Sequence, residues 1–452
     1  MQGTPQTVLE CYPLSNGVRF PRWIHLFNVD CNLSRLTTVN TSVMTLDSSI
    51  NVVVVGAGII TFGASYEPWN HSIRIEAVLG SRLNVVAIID PNKARVESVL
   101  ADKAQTAAKD SYSTTKWYPS VGEAYKDGLG SQLSIDLFVL GAPPDFRGTT
   151  VPGRDLELEI VKLFGTDPVI FTEKPVAAVR PAEPFKVADR LEATNARIGV
   201  GYMMRYLKVV QKARQIIEEN NLTVMCALAR YAFAYNLTRK AEWWRKSGNG
   251  GPAVEQMTHF CDLLRYLVGE VDKTSVRVTT LEHDEPASTI KNVNIDEDAF
   301  DPDDRIPRVT SATWKFETGA VGSFTHIIAL HGQKYAEEIT LLADGYQLRI
   351  ANVYTNPTLY VRSPESDSEE KVYKYDNDDA FYDEFVAFAS EACRRSGKPG
   401  IEHATDDLAV DHILSSYRDA CKSYEFTWLI RDSGDEYAAH RRAKGHAQGE
   451  PV

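Results

Sequence analysis

The chain is 452 residues long, with 49 lysine and arginine against 61 aspartate and glutamate side chains, a formal charge of -12 and 43% hydrophobic residues. That length suits two or three domains with enough apolar side chains to fill their cores, and a net acidic chain lacks the basic surface that nucleic acid binding needs. No apolar run approaches the roughly 18 residues that span a bilayer, no secretory signal pattern opens the chain, and six cysteines without C-x-x-C spacing argue against a disulfide framework or a zinc site; the expectation is a cytoplasmic protein that meets neither nucleic acid nor membrane and holds no metal.

Residues 1–49 mix Pro, Asn, Ser and Thr with isolated aromatics and show no sustained period, so they read as a poorly ordered extension. Met44 is the expected native start, with the preceding stretch an artefact of gene assignment; N-terminal sequencing of endogenous protein that begins well upstream would reject this.

From Ile50 short β-branched runs alternate with amphipathic stretches: Asn51-Val-Val-Val-Val, Asn84-Val-Val-Ala-Ile-Ile, Ile135-Asp-Leu-Phe-Val-Leu, Pro168-Val-Ile-Phe and Ile198-Gly-Val-Gly-Tyr. Strands apolar on both faces and separated by helices predict a doubly wound parallel sheet over 50–204, an α/β dinucleotide-binding domain. After Arg205 the pattern changes to a helix over 206–220, a strand from Thr223, a helix near Glu255 to Leu267, and alternating strands that include a hairpin through Ser311–Ile328. Helices at 380–395 and 404–424 close an α+β domain over 205–430, built on a large, mostly antiparallel sheet. The stretches 283–306 and 363–370 read as acidic solvated loops, and 431–452 as a mobile tail.

Three motifs carry chemistry. Val55-Gly56-Ala57-Gly58-Ile59-Ile60-Thr61 follows a buried strand, where glycines let backbone approach a pyrophosphate. Thr61 stands where a third glycine is expected and Pro68 lengthens the loop, so a plain strand-to-helix turn competes with a cofactor site. Asp90, closing Val86-Ala-Ile-Ile-Asp90, suits ribose hydroxyls and repels a 2′-phosphate, which favours NAD; Lys93 and Arg95 keep NADP open, and a helix N-cap is the alternative role.

Gly141-Ala142-Pro143-Pro144-Asp145 and Thr172-Glu173-Lys174-Pro175 stand at strand carboxyl ends, where open α/β sheets bind ligands. Lys174 there either faces the crevice and stabilises alkoxide character or is an ordinary surface lysine. In Gly250-Gly251-Pro-Ala-Val-Glu255-Gln-Met-Thr-His259-Phe-Cys-Asp262, spacings of four and three put Glu255, His259 and Asp262 on one helix face. They form either an acid/base pair or a structural helix pair.

Together these residues resemble the Gfo/Idh/MocA family of nicotinamide-dependent oxidoreductases over about residues 50–430, through Glu173-Lys174-Pro175 followed by Gly250-Gly251…Glu255-Gln-x-Thr-His259-x-x-Asp262. The resemblance implies a dinucleotide held by Gly56, Gly58, Ile59, Ile60, Asp90, Ala142, Pro143, Glu173 and Lys174. It implies Lys174 as catalytic lysine, His259 as proton acceptor, Glu255 steadying the imidazolium, and Tyr202 and Arg205 as substrate contacts, with Arg205 alternatively bridging domains. It also implies hydride transfer between NAD or NADP and a secondary alcohol or carbonyl of a sugar, cyclic polyol or similar molecule, in a homodimer or homotetramer. The aromatics Tyr231, Phe233, Tyr235, Trp243 and Trp244 are candidates to stack on a substrate ring or to pack a core. Two rival readings stand beside the dehydrogenase: a tailoring reductase of a non-sugar carbonyl, and a silent dinucleotide-sensing regulator.

Overall fold

The computed structural model describes residues 48–448 apart from 65–68, 132, 238–240, 249, 292, 294, 333 and 402–406. Met44, Pro68 and the extension through residue 47 therefore lie outside the described residues.

The first sheet has strands β1 (Ile50–Val55), β2 (Leu83–Ile89), β3 (Lys116–Tyr118), β4 (Leu137–Leu140), β5 (Val169–Thr172) and β6 (Ile198–Val200). All pairs are parallel, in the order β3-β2-β1-β4-β5-β6. β1, β4 and β5 are buried at every position, as strands covered on both faces must be. Connections leave β1 for β2 on one side and return to β4 on the other, so a crevice opens at the carboxyl ends of β1 and β4. β3, three residues with only Tyr118 buried, has too little apolar pattern to read from sequence.

The second sheet has strands β7 (Cys226–Ala234), β8 (Val271–Leu281), β9 (Val309–Phe316), β10 (Val321–Leu330), β11 (Ala336–Ala343), β12 (Tyr346–Ala351), β13 (Thr358–Arg362) and β14 (Lys371–Tyr373). Their order is β14-β13-β12-β11-β7-β10-β9-β8, antiparallel except for the parallel pair of β7 and β10. Burial alternates along β9 and β10, and the inner face packs on the helices Lys208–Glu219 and Thr258–Val268 through Val209, Ala213, Phe260 and Leu264.

Several expectations need correction. The helix read from Glu255 to Leu267 is two helices, Gly251–Glu255 and Thr258–Val268. The Pro252 carbonyl accepts from both Gln256 and Met257 N–H (2.9 and 3.0 Å), so the hydrogen-bond ladder slips between the two. The last helix starts at Tyr417, not 404, and continues to Gln448 through the stretch read as a tail. There Ala438 is fully buried, Gly434 lies against Val278 and Thr280 of β8, and Arg441 pairs with Asp284 (2.7 Å). The stretch 283–306 is not a solvated loop either: Ile290, Val293, Ile295 and Phe300 pack on Tyr235, Trp244, Ile306 and Ile328.

The chain also returns to the first sheet after leaving it. Phe385, Phe388 and Cys393 of the helix Ala380–Ser396 pack on one face, and Tyr417, Cys421 and Tyr424 of the last helix join the core of the other. Both faces of the dinucleotide-type sheet are thus finished by residues from the far end of the sequence.

Candidate active site

At the end of β1 the backbone passes through Gly56 with φ +97°, a conformation other residues rarely adopt. A Cβ at Gly56 would stand 2.7 Å from the Ala142 nitrogen, so the turn after β1 and the turn after β4 touch backbone to backbone. Asp90, one residue past β2, accepts from Ala57 N–H (2.7 Å) and Asn92 N–H (2.8 Å). It fastens the glycine turn to the β2 end, and each carboxylate oxygen retains a second lone pair. The alternative role falls to a neighbour, because the helix Lys93–Lys103 is capped by the Asn92 side chain.

Thr61 has a local explanation. A Cβ at Gly141 would lie 2.1 Å from Thr61 Oγ1, so the glycine needed for close packing sits at the end of β4 and leaves room for the threonine opposite.

These turns open into a cleft of about 610 Å3, a size typical of small-molecule sites. Gly56, Gly58, Ile59, Ile60, Asp90, Ala142, Pro143, Glu173 and Lys174 all line it. So do Glu255 and His259, which approach from the second sheet's side. The residues fit a dinucleotide: the backbone cradle at Gly56 excludes a side chain, a Cβ on Gly58 would meet nothing within 4 Å, and Asp90, fastened to the turn by Ala57 N–H, lines the cleft as an acceptor for a ribose diol.

Lys174 follows β5, and its Nζ donates to the Glu255 carboxylate (3.1 Å) and the Glu255 carbonyl (3.2 Å). Glu255 therefore holds the lysine and not the imidazole, a correction that follows from the helix break turning Glu255 away from the face carrying His259. Burial, and then the Lys174 charge, push the His259 pKa well below its ordinary value, so the ring is neutral at physiological pH. His259 Nδ1 is buried without a hydrogen-bond partner among the described residues.

Glu173 binds its own cluster. Its carboxylate pairs with His71 Nε2 (2.5 Å) and accepts from Lys174 N–H (2.9 Å). Burial would raise its pKa, but the His71 hydrogen bond, with the charges of His71, Lys174 and Arg147, outweighs burial and holds it below the carboxylate range. Arg147, fully buried, donates to the carbonyls of Ala142 (3.1 Å) and Pro175 (2.6 Å), tying together the two turns that line the cleft.

Tyr202 and Arg205 do not reach the cleft. Tyr202 is fully buried behind His259, its ring edge-on at 6.0 Å and its hydroxyl 2.9 Å from Thr258 Oγ1. Arg205 is buried in a two-point pair with Asp262 (2.7 and 2.6 Å) and a second pair with Asp419 (2.5 Å). It ties the helix Thr258–Val268 to the last helix, and as Asp262 and Asp419 both lie within 205–430, the contact is made inside the second domain and is neither a substrate contact nor a bridge between domains.

Sequence reasoning missed other lining residues. Trp69, Tyr335, Tyr354 and Phe381 join Tyr231, Phe233 and Trp243 on the side away from the glycine turn, whereas Tyr235 and Trp244 pack a separate cluster. Gln256, also lining, has its amide oxygen held by His326 Nε2 (2.8 Å). His71 and Arg147 left no local signal, since each acts through partners distant in sequence.

Residues 50–202 match the oxidoreductase family with an NAD-binding Rossmann fold, and residues 205–346 match an oxidoreductase C-terminal domain. An uncharacterised protein of Schizosaccharomyces pombe is 45% identical over 382 residues, covering 84% of this chain and 90% of its own. The chain belongs to the Gfo/Idh/MocA family. As a member it is a nicotinamide-dependent oxidoreductase. Two solved structures share the fold. The WlbA dehydrogenase of Bordetella pertussis, in complex with NADH and UDP-GlcNAcA, is 18% identical with a TM-score of 0.58 over 86% of this chain and 96% of its own. Levoglucosan dehydrogenase, in complex with NADH and L-sorbose, is 15% identical with a TM-score of 0.61 over 86% and 97%. No described helix is long and apolar enough to cross a membrane.

Proposed function

We propose that the protein is an NAD-dependent dehydrogenase that interconverts a CH–OH group and a carbonyl on a hydroxylated small molecule. The observation that carries this reading is the convergence of Lys174, from the first sheet, and His259, from the helix Thr258–Val268, on the cleft that contains the glycine turn and Asp90. The names of the structural neighbours, which include a levoglucosan dehydrogenase, favour a polyhydroxylated substrate.

Gly56, Gly58, Ala142, Pro143 and Asp90 would hold the dinucleotide, which when bound supplies the hydride acceptor or donor. Asp90 favours NAD because its carboxylate would face a 2′-phosphate with like charge. The chain's own groups do the proton chemistry. Neutral His259 accepts the proton of the substrate hydroxyl at a ring nitrogen, and the Lys174 ammonium donates a hydrogen bond to the same oxygen as charge develops on it. Glu255 sets where that ammonium points. In reduction the roles reverse, with the imidazolium returning the proton.

Spectroscopic turnover of NAD with sugars and polyols, compared between the wild-type protein and Lys174→Ala and His259→Ala, tests the reading. Loss of about 10²- to 10⁴-fold in kcat for each variant is expected; wild-type rates in both would rule it out.

A further inference from the structure

Half of the cleft is walled by aromatic side chains. Away from the glycine turn its walls are Trp69, Tyr231, Phe233, Trp243, Tyr335 and Tyr354, drawn from five separate segments of the chain. Five of them form one connected aromatic layer: Phe233 stacks on Tyr335 at 5.0 Å, Tyr335 meets Tyr354 at 5.7 Å, Tyr231 meets Tyr354 at 6.0 Å, and Trp69 meets Tyr354 edge-on at 6.0 Å. Tyr231 and Phe233 are buried, with their faces on Phe260 and Tyr335, and back the layer; Trp69, Tyr335 and Tyr354 are half-buried and keep apolar ring surface open, which rewards burial of apolar area.

The charges around this layer favour no anion. Among the described residues the cationic side chains lining the cleft are Lys174, paired with Glu255, and Arg147, whose donors go to backbone carbonyls on the glycine-turn side. Glu337, buried opposite Tyr231 in the β7–β11 ladder, adds a carboxyl behind the layer. An anionic group placed against these rings would lose its water and gain no counter-charge. Beside the hydroxyls of Tyr231, Tyr335 and Tyr354, an amide is fixed there. His326, buried on β10, donates from Nε2 to the Gln256 amide oxygen, which leaves the Gln256 NH2 as a donor at the cleft wall.

We propose that the substrate is uncharged, carries an aromatic or comparably apolar substituent seated on the Trp69–Tyr231–Tyr335–Tyr354 layer, and presents one acceptor oxygen to Gln256. This rests on the dehydrogenase reading for the position of the reacting carbon, but its subject is the opposite half of the cleft. It separates this chain from a protein that takes a carboxylated or phosphorylated sugar.

Isothermal titration of the full chain, with and without NADH, tests it with phenyl and methyl β-glycosides in the gluco, galacto and manno configurations, phenyl β-glucuronide, and benzyltrimethylammonium. At least one phenyl glycoside is expected to bind about tenfold or more tightly than its methyl counterpart, the effect of one or two good ring contacts. The glucuronide is expected to bind about tenfold more weakly than phenyl glucoside. Trp69→Ala should erase the phenyl advantage, and Tyr335→Arg should erase the discrimination against the glucuronide. Equal binding of phenyl and methyl forms, preference for the glucuronide, tighter binding of the quaternary ammonium, or no binding of any probe would each overturn the proposal. Hydride transfer is followed in the same samples. A phenyl preference without turnover would defeat the dehydrogenase reading and leave this inference standing, whereas turnover of methyl glycosides and glucuronides at equal kcat/KM would do the opposite.

Discussion

The Arg205 guanidinium forms a two-point ion pair with Asp262, Nε to Oδ2 at 2.7 Å and Nη2 to Oδ1 at 2.6 Å, with both side chains buried and neither facing the cleft. Removing the guanidinium strands the buried Asp262 carboxylate, so Arg205→Ala should lower stability by about 3–5 kcal/mol, and Asp262→Ala, which leaves Arg205 its Asp419 partner, by less. Chemical denaturation measures this. A raised KM at unchanged stability would instead make Arg205 a substrate contact.

The Thr61–Gly141 contact predicts a rescue. Gly141→Ala places a Cβ 2.1 Å from Thr61 Oγ1, and overpacking of this kind costs roughly 1–3 kcal/mol. The double variant Gly141→Ala, Thr61→Gly should recover most of that loss in thermal melts. Additive damage would mean that the two positions do not share the space.

Two buried histidines set an acid sensitivity. Burial lowers the His326 pKa to about 3, and burial with the Lys174 charge lowers that of His259. Both therefore bind fewer protons folded than unfolded, so their contribution is complete above the unfolded pKa of about 6.5 and is lost as pH falls below it. Each should steepen the decline of stability by up to about 1.4 kcal/mol per pH unit below 6.5. Denaturation midpoints from pH 7.5 down to pH 5, about one and a half units past that value, should show a slope that His326→Phe reduces. The same depression keeps His259 unprotonated in mild acid, so the acid limb of kcat/KM for alcohol oxidation should lie below about pH 6.5.

Asp90 should govern the choice of dinucleotide. Asp90→Ser removes the carboxylate while keeping a polar partner for Ala57 N–H, and it should weaken NAD and improve NADP so that their Kd ratio moves toward unity by about tenfold or more, the scale of one charged contact. Fluorescence titration of both dinucleotides checks this; an unchanged ratio would assign Asp90 to holding the turn alone.

What was legible in the sequence follows how local each constraint is. Gly56 and Asp90 answer to backbone conformation and strand position, which neighbouring residues reveal. Lys174 and His259 could be paired only through a family resemblance, since 85 positions separate them in the chain. Residue spacing alone pairs Glu255 with His259 because it assumes an unbroken helix, and the shared Pro252 carbonyl breaks it. Arg205 and Tyr202 sit next to the site in sequence, but burial against Asp262, Asp419 and Thr258 decides their role, and those partners come from other elements. The last helix hid its pattern for a related reason: it is buried on two sides at its start and half exposed at its end, so no single apolar stripe runs its length.

The convergence of Lys174 and His259 beside a bound dinucleotide is tested most directly by single-turnover hydride transfer with saturating NADH and a carbonyl substrate, run on the wild type, Lys174→Ala and His259→Ala. The account predicts that His259→Ala binds NADH as the wild type does and that, at saturating NADH, the transfer rates of both variants fall by about 10²-fold or more. Transfer at the wild-type rate in either variant would contradict it.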